Sequence, residues 1–391
     1  MLEPAFLGVR MIKRAVAAVA GLGLAVAVGG CAQTGPGARS ADPMAVAHLT
    51  HGPFTVYVLN QGSGTVTAIS TATNKAGKPI KVGHSPCSIA ISPDGSEVYV
   101  TNQMAGTVTP ISTRTNRAGQ PIKVGFMASM ITFTPDGKTA YVGTANTVVP
   151  FNTVTGAVGK AIRVAPRGFM GAITDMAITP DGKTVYVATW ETAVIPISTR
   201  TGRAGKPIQT FRVMALTGEN LIRMTPDGKT AYVSSADTVV PIDTATNTAG
   251  RPIHIRQATY NMAITPDGET AYVLDQASGV TAINTLTNQV RKRIDVGKNP
   301  TGIAITPDGT TAYISDYRAD TVTPISTATG TPGMPIAVGK HPAGITITPD
   351  GKTVYVANRR SGTVTVIDTR TNVVEKTIKV GKGPWDVLVT P

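Results

Sequence analysis

The tripeptide Pro-Asp-Gly recurs seven times, with its aspartates at Asp94, Asp136, Asp181, Asp227, Asp267, Asp308 and Asp350, spaced 40 to 46 residues apart. A period of that size means one supersecondary unit copied along the chain, each copy needing its neighbours to bury its faces. Cutting after each Pro-Asp-Gly divides residues 54–391 into eight units, the last ending at Thr390-Pro391, where the next Asp-Gly would follow. Each unit carries four short β-type runs. They are clearest in the last unit, as Thr353–Asn358 (TVYVAN), Thr363–Asp368 (TVTVID), Lys376–Gly381 (KTIKVG) and Trp385–Thr390 (WDVLVT). Four strands per unit, repeated, is the pattern of a propeller blade. The expectation is an all-β fold: a β-propeller of eight four-stranded blades.

Composition agrees. The 41 glycines and 28 prolines in 391 residues suit many tight turns, and Thr, Val and Ile recur in runs bounded by turn residues, against a helical fold. Two cysteines exclude a disulfide scaffold and a four-cysteine zinc module. In each Pro-Asp-Gly, Pro sets φ, Asp bonds its own backbone and Gly accepts positive φ, so these aspartates are structural. Asp243 and Asp368 stand where other units have Ser70, Ser112 or Asn152, and are turn caps as well. Cys87 stands where Thr301 and Ala343 stand, and reads as a small buried residue.

Residues 1–31 read differently. Lys13 and Arg14 precede the apolar stretch Ala15–Val28, which is too short to span a bilayer but suits a secretory leader. Val28-Gly29-Gly30-Cys31 resembles a bacterial lipobox, with Cys31 as the lipidated residue and Met11 the more natural start. Residues 32–53 are small, Gly- and Pro-rich and aperiodic, a flexible tether, with the propeller following over 54–391. The expected location is the extracytoplasmic side of a bacterial cell membrane.

Tyr99-Val100-Thr101-Asn102 reads YVTN, and Thr55–Asn60 (TVYVLN) and Thr353–Asn358 (TVYVAN) are close variants. With GTVTPIST, TNxAGxPI, KVGxxP and IAITPDG, they resemble the YVTN-type β-propeller repeat family of bacterial and archaeal surface proteins over all of 54–391. That family is usually seven-bladed; the count here is eight. The resemblance implies that the IAITPDG strand lies innermost, so that the C-terminal strand completes the blade begun at residue 54 and closes the ring. Connectivity then puts the Pro-Asp-Gly and TNxAGxP turns on one face, here called the bottom. The NxxxGT turns and VGxxP crossings fall on the other, the top. Lys75, Lys78, Arg114, Arg117, Arg200 and the run Arg291–Arg293 fall in or beside bottom turns, and the net charge is +13. A basic face toward an anionic membrane is one reading and plain solubility the other.

Four top crossings keep their pattern (Gly83–Pro86, Gly297–Pro300, Gly339–Pro342, Gly381–Pro384), whereas those at 125–130, 165–176, 212–221 and 255–262 break it. The irregular loops hold Arg167, Phe169, Met170, Asp175, Trp190, Glu191, Glu219, Asn220, Arg223, Arg256 and Tyr260, with Asp275 facing them. Aromatics and Met mixed with Arg suit a pocket or an interaction patch for an envelope protein or small ligand; drift of the repeats is the plain alternative. No haem-attachment motif, nucleophile elbow, phosphate loop or paired histidines occur, so no catalytic residue, metal site or cofactor is assigned. A lactonase- or lyase-type enzyme would need a divalent cation on Asp175, Glu191, Glu219 and Asp275. Nucleic acid is an unexpected partner for an exported lipoprotein. The sequence therefore points first to an exported, lipid-anchored binding or scaffold propeller.

Overall fold

The computed structural model describes residues 53–165, 173–190, 193–210, 220–255, 258–275 and 279–391. Among them are eight antiparallel sheets in succession and no helix. Blades 2 to 8 begin with the inner strands Pro86–Ile91, Ile131–Phe133, Ile173–Ile178, Leu221–Met224, Thr259–Ile264, Pro300–Ile305 and Pro342–Ile347. These strands adjoin one another around the axis, as the resemblance implied. Blade 1 is completed from the far end of the chain. Pro384–Val389 pairs antiparallel with Thr55–Asn60, Val56 opposite Val389 and Leu59 opposite Asp386. The Thr390 amide donates to the Thr55 carbonyl at 2.9 Å. The sheet that would otherwise end in an open edge is thereby paired on both sides.

The turns follow from their residues. Asp181 Oδ1 accepts from Thr179 Oγ1 at 2.6 Å and from the Lys183 amide at 3.0 Å, while Gly182 has φ +69°. These hydrogen bonds hold the Asp181 carboxyl down at about 2. A Cβ on Gly182 would sit 2.8 Å from Pro135 of the preceding blade, and one on Gly95 would meet Pro391 at the same distance. Pro391 thus fills the place of a turn proline. Asp243 and Asp368 cap their turns, accepting from the amides of Thr246 and Thr371, both at 2.8 Å.

The fourth strand departs from expectation. In blades 1, 2, 4, 5 and 7 it is split into two two-residue pieces, such as Lys75–Ala76 and Ile80–Lys81. Pro79 and its counterparts lack the N–H a continuous ladder requires, and Gly77 folds back to donate to Ala68 O at 2.7 Å. Blades 6 and 8 have no proline there, and their outer strands run unbroken as Gln289–Asp295 and Val373–Lys379.

Apolar side chains of the inner three strands are buried between adjacent blades. In five blades one residue adds a lock the sequence reading did not foresee. The tyrosine of the second strand is buried, and its hydroxyl reaches the bottom turn of the next blade. Tyr57 donates to Asn116 Oδ1 (2.6 Å), Tyr186 to Asn247 (2.7 Å), Tyr232 to Asn288 (2.6 Å), Tyr313 to Asn372 (2.7 Å) and Tyr355 to Asn74 (2.7 Å). These asparagines have positive φ, which Asn tolerates. Where that position is glycine the lock changes: facing Gly156, Tyr99 donates instead to Glu97 Oε2 at 2.5 Å.

Candidate functional site

The top face has two unlike halves. Over blades 7, 8, 1 and 2 a single device repeats at the end of the second strand. Asn102 Oδ1 accepts from the Gly83 amide at 2.8 Å while its Nδ2 donates to Thr107 Oγ1 (3.1 Å) and Thr109 Oγ1 (2.9 Å). Asn60 and Asn358 make the same pair of threonine bonds. Only glycine fits opposite, because a Cβ on Gly83 would lie 2.4 Å from Asn102 Cγ. Asp316 occupies this place in blade 7, fully buried, accepting from Thr323 Oγ1 at 3.0 Å. Burial pushes its carboxyl up to about 6. Beside it Tyr317 stacks on His341 at 4.4 Å between ring centres, and Arg359 lies 4.7 Å over the buried Trp385.

Over blades 3 to 6 the device is absent, and the inner strands are braced by charge. Asp175 Oδ2 of blade 4 meets Arg223 Nη1 of blade 5 at 2.5 Å, with side-chain exposures of 6% and 15%. Arg223 Nη1 also donates to Ile222 O (2.7 Å), and Nε donates to Met262 O in blade 6 (3.0 Å). Asn261 Nδ2 continues to Thr301 O of blade 7 at 3.0 Å. Asn220 adds a second tie: its Nδ2 donates to Thr189 O at 2.5 Å, and its carbonyl accepts from Thr174 Oγ1 at 2.7 Å. One network therefore joins four inner strands. A buried ion pair of this kind is satisfied only because its remaining donors and acceptors also find partners.

Of the predicted residues, the structure brings together Asp175, Asn220 and Arg223. Trp190 and Tyr260 are half-buried on the same half of the ring, in blades 4 and 6. Asp275 stands apart: it is buried at the top of the second strand of blade 6, where Oδ1 accepts from the Gly279 amide at 3.0 Å and Oδ2 lies 3.2 Å from Arg293 Nη2. This corrects the placing of Arg293 in a bottom turn, since the unbroken outer strand of blade 6 carries it upward to Asp275 and Asp295. Cys31, Arg167, Phe169, Met170, Glu191, Glu219 and Arg256 lie outside the described residues. Met127 and Met130, also in a broken crossing, are buried and pack inward.

Sequence reasoning missed Arg293 as the partner of Asp275, and it missed the brace. The brace did leave a trace. Arg223 interrupts an inner-strand position held by Ala90, Ala177, Ala263 and Ala304 in other blades, and a lone cation in an alanine column announces a buried partner. Chemically, Asp175 and Asp275 are engaged by arginines. Among the described residues no group of three His, Cys, Asp or Glu is placed to hold a metal ion. A cleft of about 500 Å³ between blades 2 and 3, lined by Glu97, Tyr99, Lys123 and Thr155 among others, lies at the bottom, where Gly156 replaces the locking asparagine.

The chain matches the YNCE-like β-propeller family over residues 6–199 and 310–391. No curated protein sequence matches it. Among solved structures it is similar to hydrazine synthase of Kuenenia stuttgartiensis, with 25% identity and a TM-score of 0.56, covering 72% of this chain and 94% of that one. It is also similar to the dihydro-heme d1 dehydrogenase NirN, solved in complex with DHE, with 15% identity and a TM-score of 0.72, covering 84% and 73%. A third likeness, at 18% identity and a TM-score of 0.57, is to a functionally unknown protein from Desulfotomaculum acetoxidans DSM 771, covering 72% and 94%. The last two are likenesses of fold alone.

Proposed function

From a chain that belongs to the YNCE-like β-propeller family, we infer a binding or scaffold module of the cell envelope, exported and lipid-anchored through Cys31, with repeats of the YVTN type. The top half over blades 3 to 6 meets the partner. The observation that carries this reading is the confinement of irregularity to one half of one face. The other half satisfies its polar groups with a repeated internal device, whereas here the repeats are given up and the inner strands are held by the Asp175–Arg223 brace instead. Loops on a rigid scaffold are where recognition is ordinarily built. The lactonase- or lyase-type alternative needs carboxylates free for a divalent cation, and the two described ones, Asp175 and Asp275, are committed to Arg223 and Arg293.

The test presents residues 32–391, which retain all eight blades, to envelope fractions under a crosslinker. The expected result is a discrete captured partner, lost on Arg167→Ala plus Trp190→Ala with an unchanged melting temperature. No capture, or capture indifferent to those substitutions, overturns the reading. A melt that falls with chelator and is restored by one divalent ion would favour the enzyme.

A further inference from the structure

We propose that the bottom face is a membrane-docking face on which Val154 and Leu286 enter the interface of an anionic bilayer; this rests on the envelope reading above and adds a contact independent of the lipid. Among the described residues the large hydrophobics most exposed are Leu286 (91%), Met334 (87%) and Val154 (84%). Val154 and Leu286 lie in turns between the third and fourth strands, which share one face by connectivity, whereas Met334 lies at the break in the split fourth strand of blade 7. Val154 and Leu286 hold the turn-tip place that Arg114, Arg200 and Arg370 hold in other blades. The same positions therefore alternate between long cations and bare apolar side chains around one rim.

The arrangement suits a bilayer better than a protein partner. A protein interface gathers apolar residues into one central patch with a polar rim. Here the two apolar tips are singly spaced among cations, Val154 on blade 3 and Leu286 on blade 6, three blades apart in the ring of eight. Contacts on both sides of the axis set the ring flat on a plane. The rim cations at these turns, such as Lys75, Arg114 and Arg200, are exposed and take part in none of the ion pairs among the described residues. Phe54 sits at the same face, its carbonyl accepting from the Thr71 amide at 3.0 Å. Partial burial of an apolar side chain strengthens binding by about tenfold, and each cation near an anionic surface by about fivefold.

The experiment is sedimentation of residues 32–391 with vesicles of phosphatidylcholine, with and without phosphatidylglycerol, at low and high salt. Binding to the anionic vesicles that weakens with salt is expected. Val154→Ser and Leu286→Ser combined should lower it about a hundredfold, tenfold per residue, with the melting temperature kept. The top-face control Met104→Ser plus Phe126→Ser should leave it unchanged. No binding to anionic vesicles at low salt overturns the proposal, as does a double variant that binds like the wild type or a control that loses binding. Vesicle binding without capture of an envelope partner would sink the proposed function and leave this contact standing.

Discussion

The two halves of the top face reach the same fold by different means. Over blades 1 and 2 each crossing is tied to its own blade by a glycine amide against a buried Asn, a short-range device of neutral groups, and blades 7 and 8 place Asp316 and Asn358 in the same position. Over blades 3 to 6 the ties run between blades and rest on a buried ion pair. The first kind fills its own space, so the surface above it is dictated by the repeat. The second frees the crossings from the repeat, because the inner strands no longer depend on them.

That contrast can be broken in several ways. The largest effect belongs to closure of the regular half. Removing residues 385–391 strips the inner strand from blade 1 and exposes the edge of Thr55–Asn60, and the cooperative melt followed by circular dichroism should disappear. A truncated protein that melts with the intact one would show that the ring does not depend on this strand. In the irregular half, Arg223→Ala leaves Asp175 buried without its cation, a change that costs about 3–5 kcal/mol. Urea denaturation should find most of that recovered in Arg223→Met with Asp175→Leu. A single-variant cost within error would remove the ion pair as the brace.

Asp316→Asn sharpens the regular half. Its carboxyl is pushed up to about 6 from an ordinary 3.8. Below the lower value both folded and unfolded states are protonated and the group contributes nothing. As pH rises between the two values the unfolded state ionises first and stability falls, by about 3 kcal/mol once above 6. Asparagine supplies the Thr and Gly bonds without a charge, as Asn102 does in blade 2. The variant should therefore be stabilised at pH 8 and indistinguishable from wild type at pH 3. A gain equal at both pH values would sink the account. The smallest effect tests the bottom locks: Tyr232→Phe should cost about 1 kcal/mol. Tyr272→Phe should cost less, since facing Gly330 it donates only a long 3.3 Å bond to Thr327 O. Equal losses would mean the asparagine adds nothing.

Much of this fold was legible because propellers are built from local instructions. Pro-Asp-Gly makes its hairpin from three adjacent residues, Asp243 and Asp368 cap within three residues, and the period counts the blades. The split outer strand was legible in principle from Pro79 and its counterparts, yet the last unit, which lacks that proline, was read as the pattern for all. The candidate site was half legible. Of the residues on the broken crossings, Asp175, Asn220 and Arg223 converge. Asp275 does not join them, because its partner Arg293 lies on a strand whose register only the tertiary structure reveals.

The sequence by itself determined the all-β class, the eight blades, the turns and the closing strand, since each depends on residues close in the chain or on the repeat. The tertiary structure decided which polar groups meet. Tyr232 with Asn288, Asp175 with Arg223 and Asp275 with Arg293 are separated by 56, 48 and 18 residues. It also decided that Leu286 and Val154 stand exposed on a single face. The physical reason is the same in both cases: burial and pairing are properties of neighbours in space, and in a ring of stacked blades the decisive neighbour comes from the next copy or from across the same blade.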